Sequence, residues 1–188
     1  MKNLFRDHRR LVITAMFTTL GFSNGAVQAD SAAQIDREAN AALASLYEGT
    51  PAAKELASQA QGILVFPNII KAGLGIGGQY GEGALRQNDA TTGYYRSTAV
   101  SYGLQAGAQS FGYVLFFMKP GALGYLESSD GWEIGVGPSV VIVDEGVART
   151  LTTTTAKDDI YAFIFSQKGL MAGLGLQGSK ITKIDPGN

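Results

Sequence analysis

Apolar positions recur across residues 31–47 with a helical period. Ile35, Ala39, Ala42, Leu43 and Leu46 fall at i, i+4, i+7, i+8 and i+11, which gathers them on one face of an amphipathic helix. Ser31 and Gln34 have the spacing of a capping box, and Gly49 follows the last periodic residue. Thr50 opens a second helix with Pro51 at its first position, and Gly62 lies past its end. The first helix has a thin, alanine-rich apolar face that suits close packing better than insertion into lipid, and Ala52, Ala53, Ala57 and Ala60 of the second suggest tight contact with a neighbour.

From Ile63 the period shortens to two. Residues 63–66 form a short apolar run stopped at Pro67, and residues 69–86 read as a strand with Gly73, Gly75 and Gly77 alternating with Leu74 and Ile76. Successive side chains of a strand point to opposite faces, so one face here is apolar and the other nearly bare backbone. Glycine inside a strand costs stability and marks close approach of a ligand or another backbone. The device returns near the C-terminus, where Ala72-Gly-Leu-Gly-Ile is echoed by Ala172-Gly-Leu-Gly-Leu. Residues 87–92 are polar and turn-like, and residues 94–118 hold two or three strands. The last of these, residues 111–118, is apolar on both faces and so predicts a central strand covered on both sides.

Lys119-Pro120 ends that run, and residues 121–128 have room for one short helix. Trp132, Ile134 and Val136 share a face opposite Glu133, Gly135 and Gly137, and residues 140–143 extend the apolar texture. Residues 152–155 are polar and β-prone, and two further strands follow at residues 160–166 and 170–184. Helices first and antiparallel-type strands afterwards predict an α+β fold. Repeated strand glycines permit sharp bending, so the N-terminal helices are expected to pack on a strongly curved, mainly antiparallel, glycine-rich sheet or partial barrel.

Residues 1–29 read as a cleaved signal peptide. Lys2, Arg6, Arg9 and Arg10 precede an apolar run from Leu11 to about Phe22, too short to span a bilayer comfortably, and Val27-Gln28-Ala29 offers small residues for cleavage. Arg9-Arg10 leaves both the general secretory and the twin-arginine routes open. The expected product is exported, periplasmic or secreted, and peripheral on a membrane if it touches one. Its 159 residues (188 − 29) would keep 11 of 15 basic and 15 of 16 acidic groups. It would also contain neither histidine nor cysteine, since His8 is the only histidine and there is no cysteine. That composition excludes Ser-His and Cys-His catalysis, zinc sites built on imidazole or thiolate, disulfide staples and cysteine-linked lipid. A mildly acidic chain with no basic run is a poor nucleic-acid partner.

Gly73-x-Gly75-x-x-Gly78 and Gly173-x-Gly175-x-x-Gly178 satisfy a dinucleotide-binding pattern, but neither is followed by the helix whose N-terminus would receive a pyrophosphate. No cofactor is expected. Asp144-Glu145 and Asp158-Asp159 are adjacent pairs in turn-like surroundings, and neighbours on a strand point apart, so they read as solvated loop charge. Lys71 and Lys168 each shortly precede a glycine-alternating strand, where they would sit near one end of the sheet and meet an anionic headgroup. Lys119 and Arg86 are further basic candidates, and Phe116, Phe117 and Trp132 are candidate acyl contacts that core packing explains equally well.

Leu64-Val-Phe-Pro67 followed by Lys71-Ala-Gly, the stretch Gly103-Leu-Gln-Ala-Gly-Ala-Gln-Ser110, Gly135-Val-Gly-Pro138 and Lys168-Gly-Leu-Met-Ala-Gly-Leu-Gly-Leu-Gln-Gly178 together resemble the SYLF lipid-binding domain family, over roughly residues 35–185. The resemblance implies a single domain at residues 30–188 that binds without catalysing, with a lipid, a fatty-acyl ligand or a membrane surface as partner. Eukaryotic relatives bind phosphoinositide membranes, and some bundle actin. An exported chain lacking their basic N-terminal segment would meet neither, unless delivered to a host, so actin is not the expected partner. The competing expectation is a structural or protein-interaction module of the envelope, with a protein partner unknown.

Overall fold

The computed structural model describes residues 31–144, 147–148, 151–152, 155–169 and 176–186. The signal-peptide segment and the glycine repeat at residues 172–175 lie outside the described residues.

Helix α1 spans Ala32–Gly49 and buries Ile35, Ala39 and Leu46, the periodic face read from the sequence. Ser31 caps it by accepting the Gln34 backbone N–H at 3.4 Å. The Gln34 side chain does not complete the box and instead donates to Glu38 one turn on, at 3.0 Å. Helix α2 is shorter than expected, Pro51–Ala57, with Ser58 at its C-cap.

Strands β1 (Gly62–Gln87) and β2 (Ala90–Phe117) form one long hairpin. Its two-residue turn, Asn88-Asp89, has positive φ at both positions (49° and 62°), a conformation that Asn and Asp tolerate and that matches the strand twist. Two expectations are corrected here. Pro67 does not stop a strand, because it falls at a register shift between Phe66 and Ile69 where the ladder is already interrupted. Residues 94–118 are not two or three strands but the single continuous β2, whose glycines bend it without breaking it.

Helix α3 (Pro120–Ser128) leads to β3 (Trp132–Glu133), β4 (Val140–Val143), β5 (Ile160–Gly169) and β6 (Lys180–Ile184). The Thr155 backbone N–H donates to the Thr152 carbonyl at 3.1 Å, and residues 153–154 of the polar stretch lie outside the described residues. Within the span 170–184, the described strand is β6 alone, preceded by a turn at Gln177-Gly178. The sheet order is β3-β6-β2-β5-β4, with β1 on β2, and every pairing is antiparallel except β4 with β5. The result is the α+β, curled half-barrel that the pattern predicts.

β2 is the spine. It pairs with β6 through residues 94–98 and with β5 through residues 109–117. Its residues 111–117 are all buried, alternately on two sides. Val114 and Phe116 pack under α1 and α2 with Val65, Ala84 and Phe163. Tyr113, Leu115 and Phe117 fill the inside of the curl with Phe66, Tyr95, Trp132 and Ile181.

The curl has a backbone cause. A Cβ on Gly83 would collide with the Val65 carbonyl oxygen and the Phe66 ring, and one on Gly81 would lie 2.5 Å from the Asn68 carbonyl oxygen. The late half of β1 thus folds directly onto its own early half, and the bare glycine face at this level is covered by main chain.

Candidate functional site

Beyond the curl, the middle of the β1–β2 hairpin stands clear of both cores. Ile70, Leu74, Ile76 and Val100 are 54%, 85%, 65% and 67% exposed, an unusual degree for aliphatic side chains on a regular ladder. The register explains their grouping. Ile70 lies across from Ser110, and Leu74 across from Ala106 two rungs beyond Ala72 and Ala108. At Gly75, which takes φ +77°, the ladder slips, and Ile76, Gly78 and Tyr80 then line the outer face opposite Tyr102, Val100 and Thr98. Val100 is therefore a diagonal neighbour of both Ile76 and Tyr80. A Cβ built on Gly75 or Gly78 would meet nothing within 4 Å, whereas one on Gly73 would collide with the main chain of Ile76 and Gly77, so the bare strand is open at 75 and 78 and closed by its own backbone at 73.

No Asp, Glu, Lys or Arg occurs at residues 72–81 or 97–118. Charge appears at the borders. Half-buried Lys71 flanks Ile70 on β1. On the turn side, Arg96 Nη2 reaches Glu82 Oε1 at 2.9 Å, and its guanidinium carbon lies 5.4 Å from the centre of the Tyr80 ring. The Tyr80 hydroxyl donates to the same Glu82 oxygen. Its proton is held more tightly than usual, through partial burial and then this carboxylate, while the hydrogen bond to Glu82 raises the Arg96 pKa further. The inner face of the same segment is polar: Gln79 donates to Ser179 Oγ at 3.3 Å, and fully buried Tyr113 donates to Ser97 Oγ at 2.8 Å.

The residues nominated from sequence are dispersed. Lys71 lies across from Gln109, and the backbone register sets Lys168 across from Ser110, so the two lysine positions are one rung apart on either side of β2. Arg86 belongs to the hairpin turn, donating to Thr91 Oγ1 at 3.2 Å and to the Asp89 carbonyl at 2.6 Å. It lines a separate polar pocket of about 550 Å³ with Asn40, Tyr47 and Asp89. Lys119 is beyond the far end of β2, paired with Asp159 at 2.8 Å. Phe116 packs edge-on against Phe163 with ring centres 5.4 Å apart, and Phe117 lies 6.0 Å from Trp132. All three aromatics are core residues with at most 2% exposure, so none presents a face to a surface-bound acyl chain.

Asp159 is a structural tie. Besides Lys119, it accepts the Ser139 backbone N–H at 2.9 Å and the Ser139 hydroxyl at 3.0 Å. The Lys119 hydrogen bond, followed by the two from Ser139, lowers its pKa to about 2. An unfolded carboxylate titrates near 3.9. The tie is therefore fully present above about pH 4 and lost as pH falls toward 2. Asp159→Asn is expected to melt lower than wild type at pH 7 and to show a shallower loss of Tm between pH 4 and pH 2. Parallel Tm curves for the two proteins over that interval would refute the assignment.

Sequence reasoning missed Ile70, Val100, Arg96 and Glu82. The turn was legible, but pairing outward from Asn88-Asp89 without interruption sets Glu82 against Tyr95; the register shift between Leu85 and Arg86 is what brings Glu82 to Arg96 and Gly78 to Val100.

An apolar groove of about 510 Å³ also runs between the α1–α2 junction and β5, lined by Leu46, Pro51, Val143, Phe163 and Phe165. None of the described helices is long and apolar enough to cross a membrane. Residues 98–188 match the family described as Ysc84, Las17-binding protein actin regulator. No curated protein matches the chain. The matched span starts within β2 and takes in every element after it. α1, α2 and β1 lie outside the match, yet β1 completes the hairpin and the helices cover the same sheet.

Proposed function

From a chain whose residues 98–188 belong to the SYLF domain family, we propose a non-enzymatic, exported protein that binds a membrane surface through the middle of its β1–β2 hairpin. SYLF domains are binding modules, known for lipid or actin-related partners. The observation that carries the lipid reading is the set of four aliphatic side chains, each more than half exposed, on hairpin stretches 70–81 and 97–118 whose one formal charge is Lys71. Fully burying one such side chain gains about 1.5–3 kcal/mol, so four partly exposed ones supply enough for reversible interfacial binding. On this reading Lys71 and Arg96, at the borders of the strip, meet anionic headgroups while the aliphatic face enters the acyl boundary. Phe116, Phe117 and Trp132 support the scaffold.

The basic and apolar pattern of residues 1–29 supports delivery to the envelope, where bacterial-type lipids rather than actin are the available partner. Protein lacking residues 1–29 is expected to co-sediment with phosphatidylglycerol/phosphatidylethanolamine vesicles, with retention weakened but not abolished by salt. Failure to sediment with these and with phosphatidylcholine vesicles, combined with cellular crosslinking to one dominant protein, would favour the interaction-module alternative.

A further inference from the structure

We propose that the cleft between α1, α2 and the β1–β2 turn binds a free α-amino acid with an apolar side chain, its carboxylate on Arg86 and its ammonium on Asp89. The site is separate from the hairpin strip and goes beyond the membrane reading. The cleft measures about 550 Å³, within the range of about 300–1,000 Å³ usual for small-molecule sites.

Its walls differ in chemistry. Leu43 of α1, Ala57 at the end of α2, Ala60 after it and Ile63 at the start of β1 make an apolar floor, each partly buried against the core beneath the helices. The facing wall is the hairpin turn. There the Arg86 guanidinium is held by two neutral acceptors, the Thr91 hydroxyl at 3.2 Å and the Asp89 carbonyl at 2.6 Å. Thr91 in turn donates to Asp36 at 2.7 Å, which ties the cation to α1. These bonds fix the guanidinium plane and leave its other N–H donors for a ligand.

Among the described residues, neither Arg86 nor the Asp89 carboxylate enters an ion pair. That carboxylate is close enough to Tyr47, across the cleft on α1, to add to the effect of burial in raising the tyrosine pKa. A cation and an anion without counter-ions thus stand at one end of an apolar floor. Because Arg86 bonds the Asp89 main chain, the two charges are near neighbours, which suits a ligand with carboxylate and ammonium on one carbon. The carboxylate matches the guanidinium fork, the ammonium meets Asp89, and the side chain covers Leu43 and Ile63. A ligand with a carboxylate alone would leave Asp89 unmatched beside its own charge, and a longer peptide would separate its two termini.

Isothermal titration of the protein with leucine, isocaproate, isopentylamine and glycine tests the assignment. Isocaproate lacks the ammonium, isopentylamine the carboxylate, and glycine the side chain. Leucine is expected to bind, and each of the others to bind more weakly by about tenfold or more. Asp89→Asn is expected to lose about tenfold of leucine affinity while binding isocaproate at least as well as wild type does. Asparagine tolerates the φ of 62° at this turn position, so the fold is kept. Isocaproate that binds as tightly as leucine, or leucine affinity unchanged in Asp89→Asn, overturns the role of Asp89 and with it the amino-acid assignment. Glycine that binds as tightly as leucine overturns the role of the apolar floor. No leucine binding at about 10 mM overturns the proposal outright and leaves the hairpin strip, which vesicle sedimentation tests on its own, untouched.

Discussion

Gly83→Ala is expected to lower Tm by about 10 °C or more, whereas Gly78→Ala, five residues away on the same strand, leaves it unchanged or raises it slightly. The contrast follows from what each position faces. At Gly83 the added methyl would enter the Val65 carbonyl oxygen and the Phe66 ring, and a main-chain oxygen cannot rotate away as a side chain does. Overpacking typically costs about 1–3 kcal/mol and more where backbone must move, and each kcal/mol is worth about 2–4 °C for a chain of this size. At Gly78 the methyl meets nothing within 4 Å, and alanine reduces the freedom of the unfolded chain, worth about 0.4–1 kcal/mol. Thermal unfolding of the two variants checks the claim that one group of strand glycines lets the hairpin fold onto itself while another is left open. Equal losses at both positions would contradict it.

The second large effect is on binding. Leu74→Asp combined with Ile76→Asp removes the two flanking aliphatic groups of the Gly75 slip, at 85% and 65% exposure, and puts two carboxylates in their place. Loss of their burial alone is worth about 3 kcal/mol, roughly a hundredfold in vesicle affinity, and the carboxylates add repulsion from anionic lipid. Because both side chains already face water, Tm should stay within about 2 °C of wild type. Retained vesicle binding in a well-folded double variant would remove the hairpin from the interface. Loss of binding accompanied by a large fall in Tm would mean that these residues serve the core.

Much of the architecture was legible because short-range physics fixes it. The α1 face, Ser31 as its cap and Pro51 at the start of α2 follow from periodicity and capping chemistry, and the apolar run at residues 111–117 named the central strand from composition alone. Pro67 misled because its usual rule assumes an unbroken ladder, whereas β1 places it inside a register shift. The number of strands in residues 94–118 was misread because glycine signals a bend and a break with the same letter.

The site was half legible. Alternating Gly73, Leu74, Gly75, Ile76 and Gly77 marked the segment on which Leu74 and Ile76 stand exposed, and Lys71 precedes it. Sequence alone could not say which glycines face backbone and which face solvent, since Gly83 and Gly78 differ only through contacts made by distant residues. Nor could it distinguish the aromatics of the core from those of a binding face. Phe116 and Phe117, adjacent in sequence, serve two different cores because β2 is buried on both sides.

The chain has no cysteine, so one introduced thiol labels one position. The most direct test attaches an environment-sensitive fluorophore to Leu74→Cys and, as a control, to Glu38→Cys on α1, and follows each with phosphatidylglycerol/phosphatidylethanolamine vesicles containing spin-labelled lipid. Blue-shifted emission and quenching at position 74, with neither at position 38, is the predicted result. Sedimentation with the vesicles while the label at position 74 still reports water would contradict insertion of the hairpin.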